Sequence, residues 1–249
     1  MVVPAGIPLD RTSRVLVVIP AYQEQGRVGR VVSGFRDQGF EVVVVDDCST
    51  DRTAAEAAEA GARVIRLPIH LGYGAAVQTG HRYAQERGID VVLQADGDGQ
   101  HDPLDAWALI GPVLAGEADV VVGSRFLPDS PPYRMPWARR IGSRLFGGLA
   151  GLLTGRRILD PTSGYQALSR RVVELYCSDV FPEDYPDADM FVLLARLGLK
   201  TTEIPARMFA NENGASMHRG WLKVFYYIYK MSLAIFVAAV RDLDRWRKP

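Results

Sequence analysis

Residues 91–103 read VVLQADGDGQHDP, and the way this stretch ends governs the reading of the whole chain. A short apolar, β-branched run stops abruptly, and three acids (Asp96, Asp98 and Asp102) fall within seven residues, spaced by glycine and closed by Pro103. Carboxylates this close repel one another and resist ionising together. Folding alone gains nothing from crowding them at a strand end, so the stretch implies a positive partner supplied from outside. The bland alternative is a polar turn capping the next helix. Asp102 performs that task alone, with Pro103 at the first helical position.

Outward from this stretch the pattern repeats. Apolar runs at residues 15–19, 42–45, 64–67, 91–93 and 120–122 each end in Gly, Pro or Asp, and helical segments near 27–38, 52–60, 74–87 and 104–115 lie between them. Thr50 or Asp51 can cap the second helix. Continuous apolar strands alternating with helices predict an α/β fold with a parallel sheet covered on both faces. Ligands of such sheets bind beyond the carboxyl ends of the strands. Asp46 and Asp47 follow the second run and Asp96 and Asp98 the fourth, so both pairs are expected to face one crevice.

Composition narrows the classes. A chain of 249 residues with 48% hydrophobic content buries a sizeable core, as one large domain or one and a half. Lys+Arg and Asp+Glu are 29 each, so no global charge points to nucleic acid. Cys48 and Cys177 are too few and too far apart for a disulfide framework, which suits a reducing cytosol. The N-terminal stretch lacks a basic region followed by an apolar one, so no signal peptide is expected.

Past residue 129 the character changes. Residues 130–159 hold six arginines (Arg134, Arg139, Arg140, Arg144, Arg156, Arg157) and no acid, interleaved with apolar side chains. A helix is expected near 186–197 with Asp187 and Asp189 at its start, and a short strand at residues 201–205. Trp221–Val240 is a run of twenty residues whose only charges are Lys223 and Lys230, followed by the basic tail RDLDRWRKP. Its length just suffices to span a bilayer. The two lysines and three tyrosines instead suggest a helix lying in the interface, against the alternative of a core helix packed on the sheet.

Metal chemistry sharpens the acids. A calcium loop counted from Asp96 requires Asp or Asn, Gly and Glu where Gln100, His101 and Trp107 stand. A haloacid-dehalogenase-type phosphatase places Asp-x-Asp-Gly on its first strand and follows it with Thr, where this chain has a fourth strand and Gln100. The remaining reading is a site for Mg²⁺ or Mn²⁺ that also holds a diphosphate.

Five segments in order, VIPAYQE (18–24), VVVVDDCSTD (42–51), HLGYGAAVQTG (70–80), DGDGQHDP (96–103) and VVGSRF (121–126), resemble the family 2 glycosyltransferases, inverting enzymes of the GT-A fold. The nearer likeness is to the polyprenyl-phosphate subgroup typified by dolichyl-phosphate-mannose synthase. It spans about residues 14–240. It implies an N-terminal extension (1–13), a GT-A domain (14–218) carrying a basic interfacial insert (130–159), and a C-terminal amphipathic helix with its tail (219–249). A nucleotide-sugar donor, UDP- or GDP-linked, would be held by Pro20, Ala21, Tyr22, Glu24, Asp46, Asp47, Gly72, Gly74 and Asp96. Asp96 and Asp98 would anchor the metal, with Gln100 and His218 as further ligands. Arg125, Arg139 and Arg140 would meet an acceptor phosphate. Asp187, eleven residues before Gly198, matches the catalytic carboxylate, with Asp189 as its neighbour.

The chain departs from the pattern at Cys48 (usually Gly), Gly97 (usually Ala), His70 (usually Asn) and the segment DYPDADM (184–190). The last bears on the acceptor more than on the chemistry. A phosphate acceptor is already largely ionised near pH 7, its second pKa being about 6, whereas a hydroxyl acceptor requires a base. The expected protein is a metal-dependent glycosyltransferase, peripheral at the cytoplasmic face of the membrane, acting on a polyprenyl phosphate. Its rivals are a transferase for soluble or glycan hydroxyls and a non-catalytic, membrane-associated binding subunit; the insert and C-terminal helix could instead pack against a membrane-protein partner. A sugar nucleotidyltransferase would need G-x-G-T-R after the first strand, where PAYQEQGR stands.

Overall fold

The computed structural model describes residues 14–133, 147–148, 151–152, 155, 158–182, 188–209, 221–243 and 246, with backbone alone for 221–228. Seven strands form one sheet: β1 (Val15–Ala21), β2 (Glu41–Asp46), β3 (Arg63–Arg66), β4 (Val91–Gln94), β5 (Val120–Ser124), β6 (Gln166–Ser169) and β7 (Thr201–Pro205). Their order is β3-β2-β1-β4-β6-β5-β7. All pairings are parallel except those of β6, which runs antiparallel to both β4 and β5. The mostly parallel α/β sheet expected from the runs is therefore present, with one reversed strand that the runs did not announce.

The helices are α1 (Val28–Asp37), α2 (Thr53–Glu59), α3 (Tyr73–Glu86), α4 (Ala106–Leu114), α5 (Arg170–Tyr176), α6 (Ala188–Arg196) and α7 (Trp221–Val240). Two buried apolar clusters, one on each face of the sheet, show why the strands read as continuous hydrophobic runs: successive residues of β1 and β2 alternate between the two. On one face α3 lies close against β1, because a Cβ at Gly80 would stand 2.2 Å from Val18 Cγ1. On the other, α1 and α4 bury Val28, Val32, Phe35, Leu109 and Ile110. Asp102 caps the turn Pro103–Asp105 that leads into α4, accepting the Leu104 N–H at 3.0 Å. Asp51 does the same service before α2, accepting from Thr53 N at 2.9 Å.

The order decides where a ligand site can form. From β1 the chain moves outward to β2 and β3, then crosses to the far side of β1 for β4. That reversal opens a crevice beyond the carboxyl ends of β1 and β4, the usual binding place in an open α/β sheet.

The C-terminal helix takes a position between the two readings of its sequence. One stripe of α7 is buried (Met231, Ile235, Ala238), and Arg196 of α6 donates to the Ala238 and Arg241 carbonyls at 2.8 and 2.7 Å, tying down the helix end. The opposite stripe (Tyr229, Leu233, Phe236, Val237, Val240) is apolar and exposed. No helix among the described residues is long and apolar enough to cross a membrane.

Candidate active site

The segment after β1 forms the floor of the crevice, and the STD motif explains its shape. The Gln23 N–H donates to Ser49 Oγ at 3.0 Å, Glu24 N to Thr53 Oγ1 at 2.8 Å and Gln25 N to Asp51 Oδ2 at 3.2 Å. The polar residues after β2 thus serve as acceptors for a loop whose amides have no strand to pair with. Gln23 is left-handed at φ 56°. Pro20 and Ala21 end β1 in register with Val45 and Asp46, and Tyr22 stacks on His70 with ring centroids 4.1 Å apart.

Asp46 and Asp47 are fully buried, and the chain itself supplies donors to both. Asp46 Oδ1 accepts Ser49 N at 3.2 Å, and Arg66 Nε stands 3.3 Å from Oδ2. The Arg66 contact is a charge pairing rather than a directed bond, since Oδ2 has no hydrogen-bond donor. Asp47 accepts the Leu71 and Gly72 amides, each at 2.8 Å, while His70 Nδ1 lies 2.8 Å from Oδ2. Gly72 is required there: at φ 97° and ψ 169° it turns the chain into α3 with its N–H aimed at Asp47. Gly74, one step on, is buried in the first turn of α3.

Asp96 and Asp98 are held differently. Tyr73 Oη donates to Asp96 Oδ1 at 3.0 Å, and the Asp96 N–H donates to His101 Nδ1 at 3.0 Å. His101 is buried and stacked on Tyr165 at 4.6 Å; burial pushes its pKa down to about 4 against the pull of Asp98, so the ring is neutral with its proton on Nε2. Asp98 accepts the Gln100 backbone N–H at 3.0 Å and the Gln100 side-chain amide. Burial and the neighbouring Asp96 charge raise the Asp98 pKa. Glu24 belongs to the same cluster: burial, with added repulsion from Asp98 and Asp96, lifts it to about 7 although Arg27 pairs with it at 2.7 Å. Gly97 packs beside Ala21 and Glu24, where a Cβ would make ordinary contact at 3.4 Å.

Glu24 and Asp98, pushed towards their neutral forms by burial first and by neighbouring acid charge second, suit a divalent cation, which would favour their charged forms. Asp96 and Asp98 are its natural holders. Gln100 occupies the place of a clamp on Asp98 rather than a free ligand, because its Oε1 accepts from Tyr133 Oη at 3.2 Å. Arg125 follows β5 and is neither exposed nor loosely paired. Its Nε and Nη2 bond Asp160 at 2.7 and 2.6 Å, and Nη2 also reaches Thr162 at 2.9 Å. Asp189 is buried in the first turn of α6, where its charge helps raise the Tyr176 pKa behind the dominant effect of burial. Asp187, His218, Arg139 and Arg140 lie outside the described residues.

The family model for glycosyl transferase family 2 matches residues 16–176. The chain belongs to glycosyltransferase family 2. It is 32% identical over 219 residues to the polyprenol monophosphomannose synthase of Mycolicibacterium smegmatis, covering 84% of this chain and 82% of that one. It is 30% identical over 243 residues to the undecaprenyl-phosphate mannosyltransferase of Micrococcus luteus, covering 94% and 93%. The solved structure of glucosyl-3-phosphoglycerate synthase from Mycobacterium tuberculosis, crystallised with Mn²⁺ and UDP-glucose, superposes with a TM-score of 0.67 at 24% identity, over 92% of this chain and 79% of that one. This family 2 glycosyltransferase therefore has the GT-A fold. Its sequence relatives include enzymes named for polyprenyl-phosphate substrates, as the resemblance implied.

Several residues of the site escaped the sequence reading. Tyr73 sits between the two glycines that drew attention. Asp160, Thr162 and Gly164 belong to DPTSG (160–164), a turn signal after an acid that was legible but unassigned.

Proposed function

We propose that this glycosyltransferase moves a sugar, with inversion, from a nucleotide-sugar to a polyprenyl phosphate at the cytoplasmic face of the membrane, using Mg²⁺ or Mn²⁺. The observation that carries the reading is the gathering of Asp96, Asp98 and Glu24 at the β1/β4 crevice, where burial and neighbouring charge raise the pKa of Asp98 and Glu24 and a cation–diphosphate would favour their charged forms. When bound, the cation stabilises negative charge developing on the departing diphosphate.

The chain's residues divide the remaining work. Asp96 and Asp98 hold the donor's charged centre, with His218 as a further ligand. Pro20, Ala21, Tyr22, Asp46 and Asp47 shape the nucleoside pocket, and Gly72 and Gly74 bring backbone close to it. An acceptor phosphate oxygen attacks the anomeric carbon as the bond from that carbon to the diphosphate oxygen breaks, and the bonding pair leaves with the nucleoside diphosphate. A phosphate acceptor has no proton to lose, so arginines that position it matter more than a base. Arg139 and Arg140 of the basic insert meet that phosphate, while Arg125, pinned by Asp160, holds the base from which the insert starts rather than the phosphate itself. A hydroxyl acceptor would instead require Asp187 as base, with Asp189 beside it.

The exposed apolar stripe of α7 supports the lipid reading, since such a face lies naturally at headgroup depth. Arginines near an anionic leaflet add about 1 kcal/mol each. The test is flotation with anionic liposomes, followed by transfer assays offering polyprenyl phosphate and a soluble sugar side by side. Arg139 and Arg140 changed to Glu are expected to lower flotation and lipid transfer together. Full activity on the soluble acceptor without membrane association would remove the lipid.

A further inference from the structure

Tyr73 takes no part in the reaction as described so far, yet its hydroxyl touches the first acid of the DGD triplet. Gln94, buried at the end of β4, donates Nε2 to the Tyr73 oxygen at 3.2 Å. A hydroxyl has a single proton to give, and with Gln94 filling one lone pair that proton is directed to Asp96 Oδ1 at 3.0 Å. On the facing side the wall is bare backbone. A Cβ at Gly164 would stand 3.0 Å from both Asp96 Oδ1 and Tyr73 Oη, and 3.1 Å from Asp96 Oδ2.

We propose that Tyr73 is a positioning residue, its hydroxyl aiming the Asp96 carboxylate at the cation–diphosphate. The inference rests on the reading of Asp96 and Asp98 as the metal anchor. Two neighbouring carboxylates left alone would rotate apart to relieve their repulsion. Here each has its own neutral donor, Gln100 for Asp98 and Tyr73 for Asp96, so the pair keeps its shape before any ligand arrives. A neutral donor is the right chemistry for this task. Lysine or arginine in its place would satisfy the carboxylate's charge and compete with the metal.

The experiment titrates UDP and GDP by calorimetry into wild type, Tyr73→Phe and Gly164→Ala, each in Mn²⁺ and in EDTA, using whichever nucleotide binds as the probe. Loss of an outer-shell partner costs about 10–100-fold in metal affinity. Tyr73→Phe is therefore expected to weaken binding in Mn²⁺ by roughly tenfold while leaving EDTA binding unchanged, so the metal increment shrinks. Gly164→Ala keeps the hydroxyl but presses a methyl group on the same oxygens, and should shrink the increment too. A purely structural Tyr73 would lower the melting temperature, or both affinities equally, and leave the increment intact; that outcome overturns the proposal. A wild type with no increment at all overturns the metal-anchor reading, and the role of Tyr73 with it.

Discussion

Asp46 and Asp47 close β2, Asp96 and Asp98 follow β4, and the two pairs flank β1 at the same edge of the sheet. The first pair is buried to 0% and 2% exposure and surrounded by amide donors from Ser49, Leu71 and Gly72. Asp96 keeps 31% of its side chain open, and its partner Asp98 sits beside it with a raised pKa. The same residue type thus does two jobs within one crevice. Carboxylates ringed by N–H groups are framework: they pull the loop before α3 onto the end of β2. Carboxylates set against each other are, on the proposed function, held in readiness for positive charge. Composition and spacing are nearly the same for both pairs, so only the partners distinguish framework from chemistry.

That contrast is broken most sharply by removing Asp98. Asp98→Ala is expected to abolish the gain in nucleoside-diphosphate affinity that Mn²⁺ gives over EDTA, a loss above roughly a hundredfold, or about 2.7 kcal/mol. Calorimetry in the two conditions reads it. Wild-type affinity in the variant would return the DGD acids to the status of a polar turn.

Asp47→Ala should do the opposite. It strips two charge-assisted amide bonds from a buried site, so unfolding should become easier by about 2 kcal/mol, lowering the melting temperature by roughly 5 °C. The Mn²⁺ increment should survive. If stability holds and nucleotide affinity falls instead, Asp47 contacts the donor directly and the framework role is wrong.

Glu24 sharpens the comparison through pH. Its folded pKa of about 7 lies above the ordinary 4.5, so the folded chain binds the proton more tightly than the unfolded one. The stability contributed by protonated Glu24 is full below 4.5 and is lost as pH rises towards 7. Glu24→Gln should remove that slope. Urea midpoints of the two proteins should nearly coincide at pH 4.5 and diverge by pH 8, with the variant more stable by an amount of the order of 1–2 kcal/mol. Parallel curves would mean that the carboxyl cluster carries no strain.

The smallest effect concerns Cys48. At φ 62° it occupies a left-handed position that glycine adopts without penalty. Cys48→Gly should stabilise the protein by about 0.5 kcal/mol in denaturant unfolding, after the greater freedom of glycine in the unfolded chain is subtracted. A destabilised variant would show that the Cys48 side chain packs usefully against Pro68, whose carbonyl lies 3.7 Å from Sγ.

Strands β1, β2, β4 and β5 were legible because each is an apolar run rich in valine, and α1 to α4 fall within one or two residues of their expected bounds. β6 was not. QALS (166–169) is four residues long with a buried glutamine, and it becomes a strand only because β4 and β5 offer it edges on both sides. RRVVELY (170–176) reads as α5 only once that strand exists. At the site, the acids were found because charge at a strand end is conspicuous in sequence. The residues that hold them, Tyr73, Gln94 and Gly164, were not, because a tyrosine, a glutamine and a glycine announce nothing until they meet in space. For Arg125 the strand-end position was correct, but its partner stands thirty-five residues away in the chain.

That distant pairing has a consequence for how the molecule can vary. Arg125 and Asp160 bracket the arginine-rich stretch in sequence, and their bidentate bond ties its two ends together like the neck of a purse. Glu203 of β7 holds the same neck from behind, taking the Leu159 and Asp160 amides at 2.8 Å. Doubling the length of a closed loop costs only about 0.6 kcal/mol. A lineage could therefore exchange the residues between Arg125 and Asp160 while inheriting the crevice beyond β1 and β4 unchanged. Chimeras cut on either side of Arg125 and Asp160 would be the natural units of such exchange.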